Sequence, residues 1–327
     1  MATVQNNRLG IVETAKRTNN ANVLTVSEVL SRSDEWLQDA VWLPCNQIAT
    51  HVHPRRLTLP SGTWRKLNYG ATIEVSHVNQ IVENVGRLES WAQIDEGVIQ
   101  TLLGDKQKFM STEELAFVMG LGQTLSTAFV AGDTIVNPEQ FDGMQIRTNA
   151  LGTYVKGCGG SGGDTTSAYF IQWGENLAHM IFIPDMGRPS EGSPVKVDAR
   201  PLETIIDAVG GLFSGYRTKF VVSAGLAIHD DRCLCRLTNI EDDVSGANIF
   251  EPDYAVELLN KMMNRGRSDT FMYCHQKVLS QLDVMAIDKI NVLYTLGDMW
   301  GEPVTYFNRK VPVRQLDAIG ITETVVA

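Results

Sequence analysis

Apolar residues recur most regularly at helical spacing between residues 111 and 131. Ser111 and Glu114 have the spacing of a capping box, which favours a helix start at that point. Gly132 follows the last apolar residue and is typical of a helix end. The apolar stripe comprises Leu115, Val118, Met119, Leu125 and Phe129. This pattern predicts one long helix with a single buried face.

Shorter apolar periods, bounded by proline or glycine, predict further helices. Pro201 and Pro252 stand where a helix can begin, because the first turn needs no N–H from that residue. The predicted ranges are 27–41, 202–209, 252–266 and 275–285. Residues 1–24 are polar and lack any period, so they are expected to form a mobile arm.

β-Branched residues and period-two alternation predict strands in much of the remaining chain. One strand pair is expected within residues 169–183, turning at residues 174–176, and two more strands within residues 220–240. A closing strand is expected at residues 311–319. Strands and helices are mixed without regular alternation, so the predicted fold class is α+β.

Residues 40–73 contain no Asp or Glu, in a chain whose net charge is −10. Two β-prone runs, 45–59 and 63–75, flank a Leu-Pro-Ser-Gly turn and predict a hairpin. An isolated hairpin is marginal in water, and neither run has an apolar face sufficient for a core. The candidate docking residues are Arg55, Arg56, Trp64, Arg65 and Lys66. We therefore expect an arm that docks on an acidic surface of another copy of the chain.

The composition is that of a soluble globular protein: of 327 residues, 43% are hydrophobic and 20% are charged. This length allows one large domain or two modest ones. An acidic balance argues against general affinity for nucleic acid, although an acidic wall can still enclose it. Charges interrupt every apolar stretch before about 18 residues, which argues against a membrane span. The N-terminus lacks the apolar core of a signal peptide, and five scattered cysteines fit a reducing cytoplasm.

The glycine-rich residues 157–163 fit two motifs, G-x-G-x-x-G and G-x-S-x-G. Both motifs need a helix directly after the loop, because its N-terminus provides the anion site or presents the nucleophile. Residues 165–171 instead have the composition of a strand. We therefore expect a flexible loop, with no catalytic residue and no cofactor. A nucleotide-dependent enzyme remains an alternative, which a helix after Gly163 would favour.

Cysteine and histidine residues provide the other candidate chemistry. Cys233 and Cys235 do not have the C-x-x-C spacing of a zinc knuckle. Alternation along a strand places them on one face, as is typical of core residues. The further ligands that a zinc site would require are His229 upstream and Cys274 and His275 far downstream. His51 and His53 share a face of the basic arm and are expected at the surface, so no metal site is predicted.

Four separated pieces of the sequence carry a family resemblance. They are residues 25–69, residues 160–167 with 173–176, residues 225–226 with 236–240, and residues 312–319. In this order they resemble the major capsid proteins of tailed bacteriophages with the Hong Kong 97-like fold, in the short-tailed-phage branch. Residues 179–182 depart from the family pattern, because His-Met-Ile-Phe replaces His-Gly-Ile-Tyr.

The resemblance implies a division of the chain into five parts. These are an N-terminal arm and short helix at 1–45, an extended β-hairpin loop at 46–75, a peripheral domain at 76–200 with a spine helix at 111–131, an axial domain at 201–310, and a closing strand at 311–327 that returns to the peripheral domain. In this family the extended loop lies across a neighbouring subunit. The resemblance therefore agrees with the arm that the charge pattern predicts.

The function implied by the resemblance is structural and not enzymatic. Copies would form the hexamers and pentamers of an icosahedral virion capsid, enclosing double-stranded DNA without reading its sequence. The other expected partners are a portal, a scaffold and a decoration or cement protein, with no membrane. Synthesis is expected in the cytoplasm of a host bacterium. The alternative is a shell protein of a cellular nanocompartment with the same fold.

Overall fold

The computed structural model describes residues 35–96, 106–184, 193–206, 211–243, 246–263, 269–287, 294–295, 306–307 and 311–327. The N-terminal arm lies outside these residues, as does most of the helix expected at 27–41. The described part of that helix is a single turn, α1, Trp36–Asp39.

The described residues form helices, two large sheets and one two-stranded ribbon. The helices are α1, α2 (Lys106–Ala131), α3 (Met144–Arg147), α4 (Pro252–Lys261) and α5 (Gln276–Ile287). A five-stranded sheet has the order β1 (Trp42–Pro44), β7 (Ala178–Phe182), β9 (Leu212–Ile228) and β4 (Gly86–Asp95), with β8 (Val195–Ile206) also paired to β9. A seven-stranded sheet has the order β12 (Tyr294–Thr295), β13 (Tyr306–Phe307), β14 (Val311–Gln315), β11 (Thr270–Cys274), β6 (Thr165–Gln172), β10 (Leu234–Glu241) and β5 (Val155–Gly157). The ribbon pairs β2 (Thr50–Arg56) with β3 (Val78–Asn84).

The seven-stranded sheet is the middle layer of the molecule, and every residue of β6 is buried. Tyr169 and Ile171 face a core shared with α2 and the five-stranded sheet. Ala168 and Phe170 face a second core, formed with α4 and α5. A strand buried on both faces reads as a continuous apolar run instead of an alternating one. The α+β fold class is confirmed.

The long helix α2 is confirmed, but its predicted start is wrong. Ser111 lies inside the helix and does not cap it. Glu114 instead accepts a hydrogen bond from Thr218 Oγ1 of β9 at 2.7 Å. By length and composition alone, the segment Glu114–Ala131 could cross a membrane. Its apolar stripe packs in the core, however, as that of a core helix does.

The buried stripe of α2 differs in detail from the predicted one. Val118, Leu125 and Phe129 are buried as expected, and Leu121 joins them. Met119 is exposed, so its assignment to the stripe was wrong. Residues 118, 121, 125 and 129 are separated by steps of three or four, which keep side chains on one helical face.

Two predictions of secondary structure and pairing need correction. Residues 202–206 belong to β8, so the short helix predicted at 202–209 is wrong. The strands within 169–183 and within 220–240 exist, but the expected pair β6 and β7 lies in two different sheets, as do β9 and β10. Each connection crosses between the layers because both strands it joins are central strands with other partners.

The two sheets interleave segments from the whole chain. The boundary predicted between residues 200 and 201 falls inside β8. The closing strand is observed as β14, which pairs in parallel with β11 in the seven-stranded sheet. The layers therefore do not divide the chain at one point in the sequence.

Asp39 of α1 links the N-terminal segment to β14 and gives a pH prediction. Its carboxylate accepts hydrogen bonds from Arg314 Nε at 3.3 Å and from the Tyr273 hydroxyl at 3.1 Å. Burial raises the pKa of Asp39 from 3.8 to about 6, although Arg314 opposes this shift. The folded state therefore binds more protons between these values, and the free energy of unfolding falls as the pH rises through them.

We expect Asp39→Asn to remove this pH dependence. Relative to wild type, the variant gains at most about 3 kcal/mol in free energy of unfolding between about pH 4 and about pH 7. Urea unfolding of unassembled subunits at several pH values measures the difference. Glu35→Gln is the control, because Glu35 also pairs with Arg314 at 3.1 Å but leaves Asp39 intact. Parallel pH curves for Asp39→Asn and wild type would contradict the prediction.

Candidate intersubunit loop

The extended loop comprises residues 50–84, with a base formed by β2 and β3 and a tip formed by residues 57–77. The base is a regular antiparallel ribbon in which His51 lies opposite Glu83 and Arg56 lies opposite Val78. The predicted second strand at 63–75 is therefore wrong, because the partner strand follows it in sequence. The hairpin spans residues 50–84 and therefore extends beyond the range 46–75 that the resemblance implies.

The tip keeps an irregular version of the same pairing. The His77 amide donates to Thr58 Oγ1 at 3.1 Å, and the hydroxyls of Thr63 and Thr72 lie 3.0 Å apart. The chain reverses at residues 66–69, where the Tyr69 amide donates to the Lys66 carbonyl at 3.2 Å. Asn68 adopts the left-handed backbone conformation there, with φ of 69°. The predicted turn at residues 59–62 does not end the hairpin.

Ser61 and Gly62, within residues 59–62, are instead held by Glu74. The backbone amides of Ser61 and Gly62 donate to Glu74 Oε2 at 2.6 and 3.1 Å. Hydrogen bonds from Gly62 and Ser61 lower the pKa of the exposed Glu74 carboxyl. Gly62 has φ of 71°, a conformation that residues with a side chain rarely adopt. The acid that ends the Asp- and Glu-free span therefore shapes the tip.

The base is anchored on its own subunit. Arg147, the last residue of the short helix α3, donates two hydrogen bonds to the Glu83 carboxylate at 2.8 and 2.6 Å. Glu83 is buried, so this bidentate pair is well shielded from water. Arg55 pairs with Asp231, which follows β9. The structure thus holds Arg55 within the subunit and separates it from the other predicted docking residues.

The tip is exposed and rich in apolar side chains. Trp64 is fully exposed, and Ile73 is 92% exposed. The other large exposed apolar residues of the tip are Leu57, Leu59, Leu67, Tyr69 and Val75. Such clusters on a protein surface mark interaction sites. Except for Trp64, these residues were missed as docking residues, because the sequence prediction followed charge and not apolar content.

The structure brings three of the predicted docking residues together. Trp64, Arg65 and Lys66 are consecutive, exposed and next to the chain reversal. Arg65 also stabilises that reversal, because its guanidinium donates to the Tyr69 carbonyl at 3.1 Å. Arg56 is exposed at the end of β2, between the base and the tip.

The other sequence candidates for chemistry do not assemble as motifs. β6 follows the glycine loop directly, so the helix that a nucleotide site needs is replaced by a strand. Cys233 contacts the core beside α2, whereas Cys235 and Cys274 contact the second core. Burial raises the pKa of the Cys235 thiol to about 12. Cys233 lies in the turn before β10 and packs in a different core from Cys235, so the shared strand face predicted for these two residues is wrong.

The surface position predicted for His53 is wrong. Its side chain is only 2% exposed and lies between the loop base and the end of β9. His51 is half-buried beside it. His51 and His53 are shielded from solvent because their face of β2 packs against the body of the subunit. The acid-free span alone could not reveal this contact.

Comparison with known proteins identifies the family. The family described as “Major capsid protein GP7” matches residues 18–327. A chain of the cryo-EM structure of bacteriophage Epsilon15 is 23% identical, with a TM-score of 0.64 over 88% of this chain and 88% of that chain. The bacteriophage JBD30 capsid is 9% identical, with a TM-score of 0.50 over 86% of this chain and 90% of that chain. No curated protein matches the sequence.

The structural likenesses confirm the fold that the resemblance implied, a Hong Kong 97-like capsid fold. The family match extends from within the N-terminal segment to the last residue and therefore includes the extended loop, the long helix and both sheets. It favours a viral shell over a nanocompartment shell. The chain belongs to the GP7 family of major capsid proteins, structural proteins of the bacteriophage capsid.

Proposed function

We propose that each subunit closes the capsid shell by laying the tip of its extended loop on a neighbouring copy. The observation that carries this proposal is an exposed apolar tip on a fixed base. Trp64, Leu67 and Ile73 project from the tip into water, while Glu83 and Arg147 fix the base. Burying side chains of this size on a partner contributes about 1.5–3 kcal/mol each.

The occupant of this surface is a second copy of the chain. A shell places identical subunits around one another, so a reaching loop always finds the same acceptor surface. The contact is heterologous, because the tip of one copy meets the body of the next. Repetition around the shell makes contacts of modest strength sufficient for a stable assembly.

Charge supports the same pairing. The tip and Arg56 are basic, whereas the whole chain carries a net charge of −10. An average neighbouring surface is therefore acidic, and complementary charge favours the correct orientation more than it adds affinity. Residues 241–243 are one candidate acceptor, although Asp242 already pairs with Lys277 at 3.3 Å.

The remaining parts of the proposal follow the family pattern. The peripheral domain would lie within residues 76–200, with α2 as its spine, and the axial domain within residues 201–310 would meet its copies at the shell's symmetry axes. Because both sheets contain strands from distant parts of the sequence, the boundary between the two domains would follow the sheets instead of a single point near residue 200. A portal, a scaffold and a decoration protein would complete the virion, which encloses DNA without sequence readout. The subunit would be made in the host cytoplasm and would have no catalytic role.

Reversing the charge of the loop tests this proposal. Exposed ion pairs are each worth about 0.2–1 kcal/mol, so single substitutions should do little. The double variant Arg56→Glu with Arg65→Glu should keep the wild-type circular dichroism spectrum but form few closed shells in electron micrographs. Its defect should be largest at low salt, where repulsion is least screened.

The matched control is Arg56→Lys with Arg65→Lys, which keeps both charges at the same positions. We expect this variant to assemble like wild type. Equal assembly of the glutamate variant and the lysine variant at every salt concentration would exclude a role for charge in docking.

A further inference from the structure

Four of the six histidines of the chain gather at the base of the extended loop. His51 and His53 extend from β2, His179 from β7, and His229 directly follows β9. The ring centroids of His53 and His229 lie 4.2 Å apart, and those of His179 and His229 lie 5.1 Å apart. The fold thus brings three distant segments together through imidazole rings.

The ring nitrogens of this cluster lack the partners that buried polar atoms normally have. His51 Nδ1, His53 Nδ1 and His229 Nε2 are buried without a hydrogen-bond partner among the described residues. His179 is buried, and neither of its ring nitrogens makes a hydrogen bond of normal geometry, although the Gly174 backbone lies close by. Unpaired buried polar groups are rare in proteins, so several in one place require an explanation.

The hydrogen bond of His53 fixes which nitrogen carries the lone pair. Its Nε2 lies 3.2 Å from the Ile228 carbonyl oxygen. Because a carbonyl can only accept, Nε2 must carry the hydrogen and Nδ1 must have the free lone pair. A ring that donates one N–H to a backbone carbonyl and presents its other nitrogen is the usual arrangement of a metal-binding histidine.

The distances suit a metal ion. One nitrogen from each of His51, His53 and His229 lies within 4.8 Å of the other two. A tetrahedral zinc ion with Zn–N bonds of about 2.0–2.1 Å places its ligand nitrogens roughly 3.4 Å apart. Small side-chain rotations therefore close the site, and the half-buried rings of His51 and His229 leave a path for entry.

We propose that His51, His53 and His229 bind a zinc ion or a similar divalent transition metal, with His179 as the fourth ligand. Imidazole is a preferred ligand of zinc, copper and nickel, whereas magnesium and calcium prefer oxygen. A neutral imidazole is the form of histidine that coordinates a metal ion. The nearby Glu83 is held by Arg147 and is not needed as a ligand.

A bound ion would join β2 of the loop to β7 and to the end of β9. It would therefore fix the direction in which the tip leaves the subunit. Only this consequence rests on the proposed docking of the loop. Metal binding itself is measured on unassembled subunits, so it can fail or succeed independently of shell formation.

The first test uses the untagged wild-type chain, stripped with a chelator and then titrated with zinc chloride. We expect one zinc ion per chain in calorimetry, with a dissociation constant in the micromolar range or below. Cobalt(II) in place of zinc should give the intense visible bands of a tetrahedral site. Magnesium and calcium should give no saturable heat. Absent zinc binding, or a cobalt spectrum typical of six-coordinate, water-rich ions, would overturn the proposal without any substitution.

The second test assigns the ligands. His53→Gln with His229→Gln should weaken zinc binding by at least about tenfold, since even outer-shell changes have effects of that size. The matched control is His77→Gln with His275→Gln, which removes the two histidines outside the cluster and should leave zinc binding unchanged. Circular dichroism checks that each variant folds. Zinc binding that survives in the first variant, or is lost equally in the control, would exclude this site.

Discussion

Glu323→Ala is expected to lower the free energy of unfolding of the subunit by about 3–5 kcal/mol, because it leaves a buried arginine without its counterion. Arg236 on β10 is 1% exposed and donates to Glu323 Oε2 at 3.0 Å. Its other nitrogens donate to Ser167 Oγ at 3.0 Å and to the Thr148 carbonyl at 2.9 Å. The guanidinium has no access to water that could replace the lost carboxylate.

The same carboxylate fixes the C-terminal segment on the seven-stranded sheet. The Glu323 amide donates to the Thr165 carbonyl at 2.9 Å, and Thr165 Oγ1 donates to the Glu323 carbonyl at 2.7 Å. Three residues later, the Val326 backbone exchanges two hydrogen bonds of 2.9 Å with the Asn239 side chain. These bonds hold the C-terminal segment against the sheet, while the Glu323 carboxylate neutralises the buried charge of Arg236.

Chemical unfolding of unassembled subunits measures the effect of Glu323→Ala. The control is Asp317→Ala, which removes an exposed carboxylate from the same segment and should cost less than about 0.5 kcal/mol. A combined replacement, Arg236→Met with Glu323→Leu, should recover much of the loss, because apolar residues of similar volume avoid the desolvation cost. If Glu323→Ala unfolds at the same urea concentration as wild type, the pair is not shielded as the structure indicates.

Local patterns predicted the elements whose neighbours are close in sequence. The helix α2 follows from its apolar stripe, and β14 follows from its composition. The strand after Gly163 could also be predicted, because Thr, Ser and aromatic residues there favour an extended chain. These features depend on local spacing, which the sequence contains directly.

Contacts between distant segments could not be predicted in this way. β6 and β7 are close in sequence but belong to different layers, since β6 is buried on both faces and carries no alternation to indicate its partner. His53 and His229 are separated by most of the chain, and only the packing of β2 against the end of β9 brings their rings together. Two β-prone runs predicted the hairpin, but local spacing placed its second strand at residues 63–75, whereas the strand that pairs with β2 is β3.

Arg236 illustrates the same limit in the core. Alternation along β10 puts Arg236 on the opposite face from Cys235 and Leu237 but does not show whether that face is buried. The structure buries it beside Tyr169, whose ring lies 5.3 Å from the guanidinium carbon. The compensating Glu323 is near the C-terminus, so no local pattern indicated that this arginine has a buried partner.

Placing acids on the apolar tip is expected to abolish shell formation while leaving the subunit folded. In the variant Trp64→Asp with Ile73→Asp, both side chains already lie in water, so the free energy of unfolding should change by less than about 0.5 kcal/mol. The free energy of docking should become less favourable by about 1.5–3 kcal/mol for each apolar side chain removed. Desolvating the two new carboxylates would weaken docking further. Because every copy carries the defect, the loss is repeated at each contact of the shell.

The matched control places the same substitutions on another exposed apolar pair. Ile135 is 85% exposed and Val136 is also exposed, in the turn after α2. We expect Ile135→Asp with Val136→Asp to form shells in electron micrographs under conditions where the tip variant remains unassembled in sedimentation experiments. Normal shells from the tip variant, or equal failure of both variants, would mean that the tip does not provide the contact. A tip variant that folds and fails to assemble beside an assembling control would show that these side chains join neighbouring subunits.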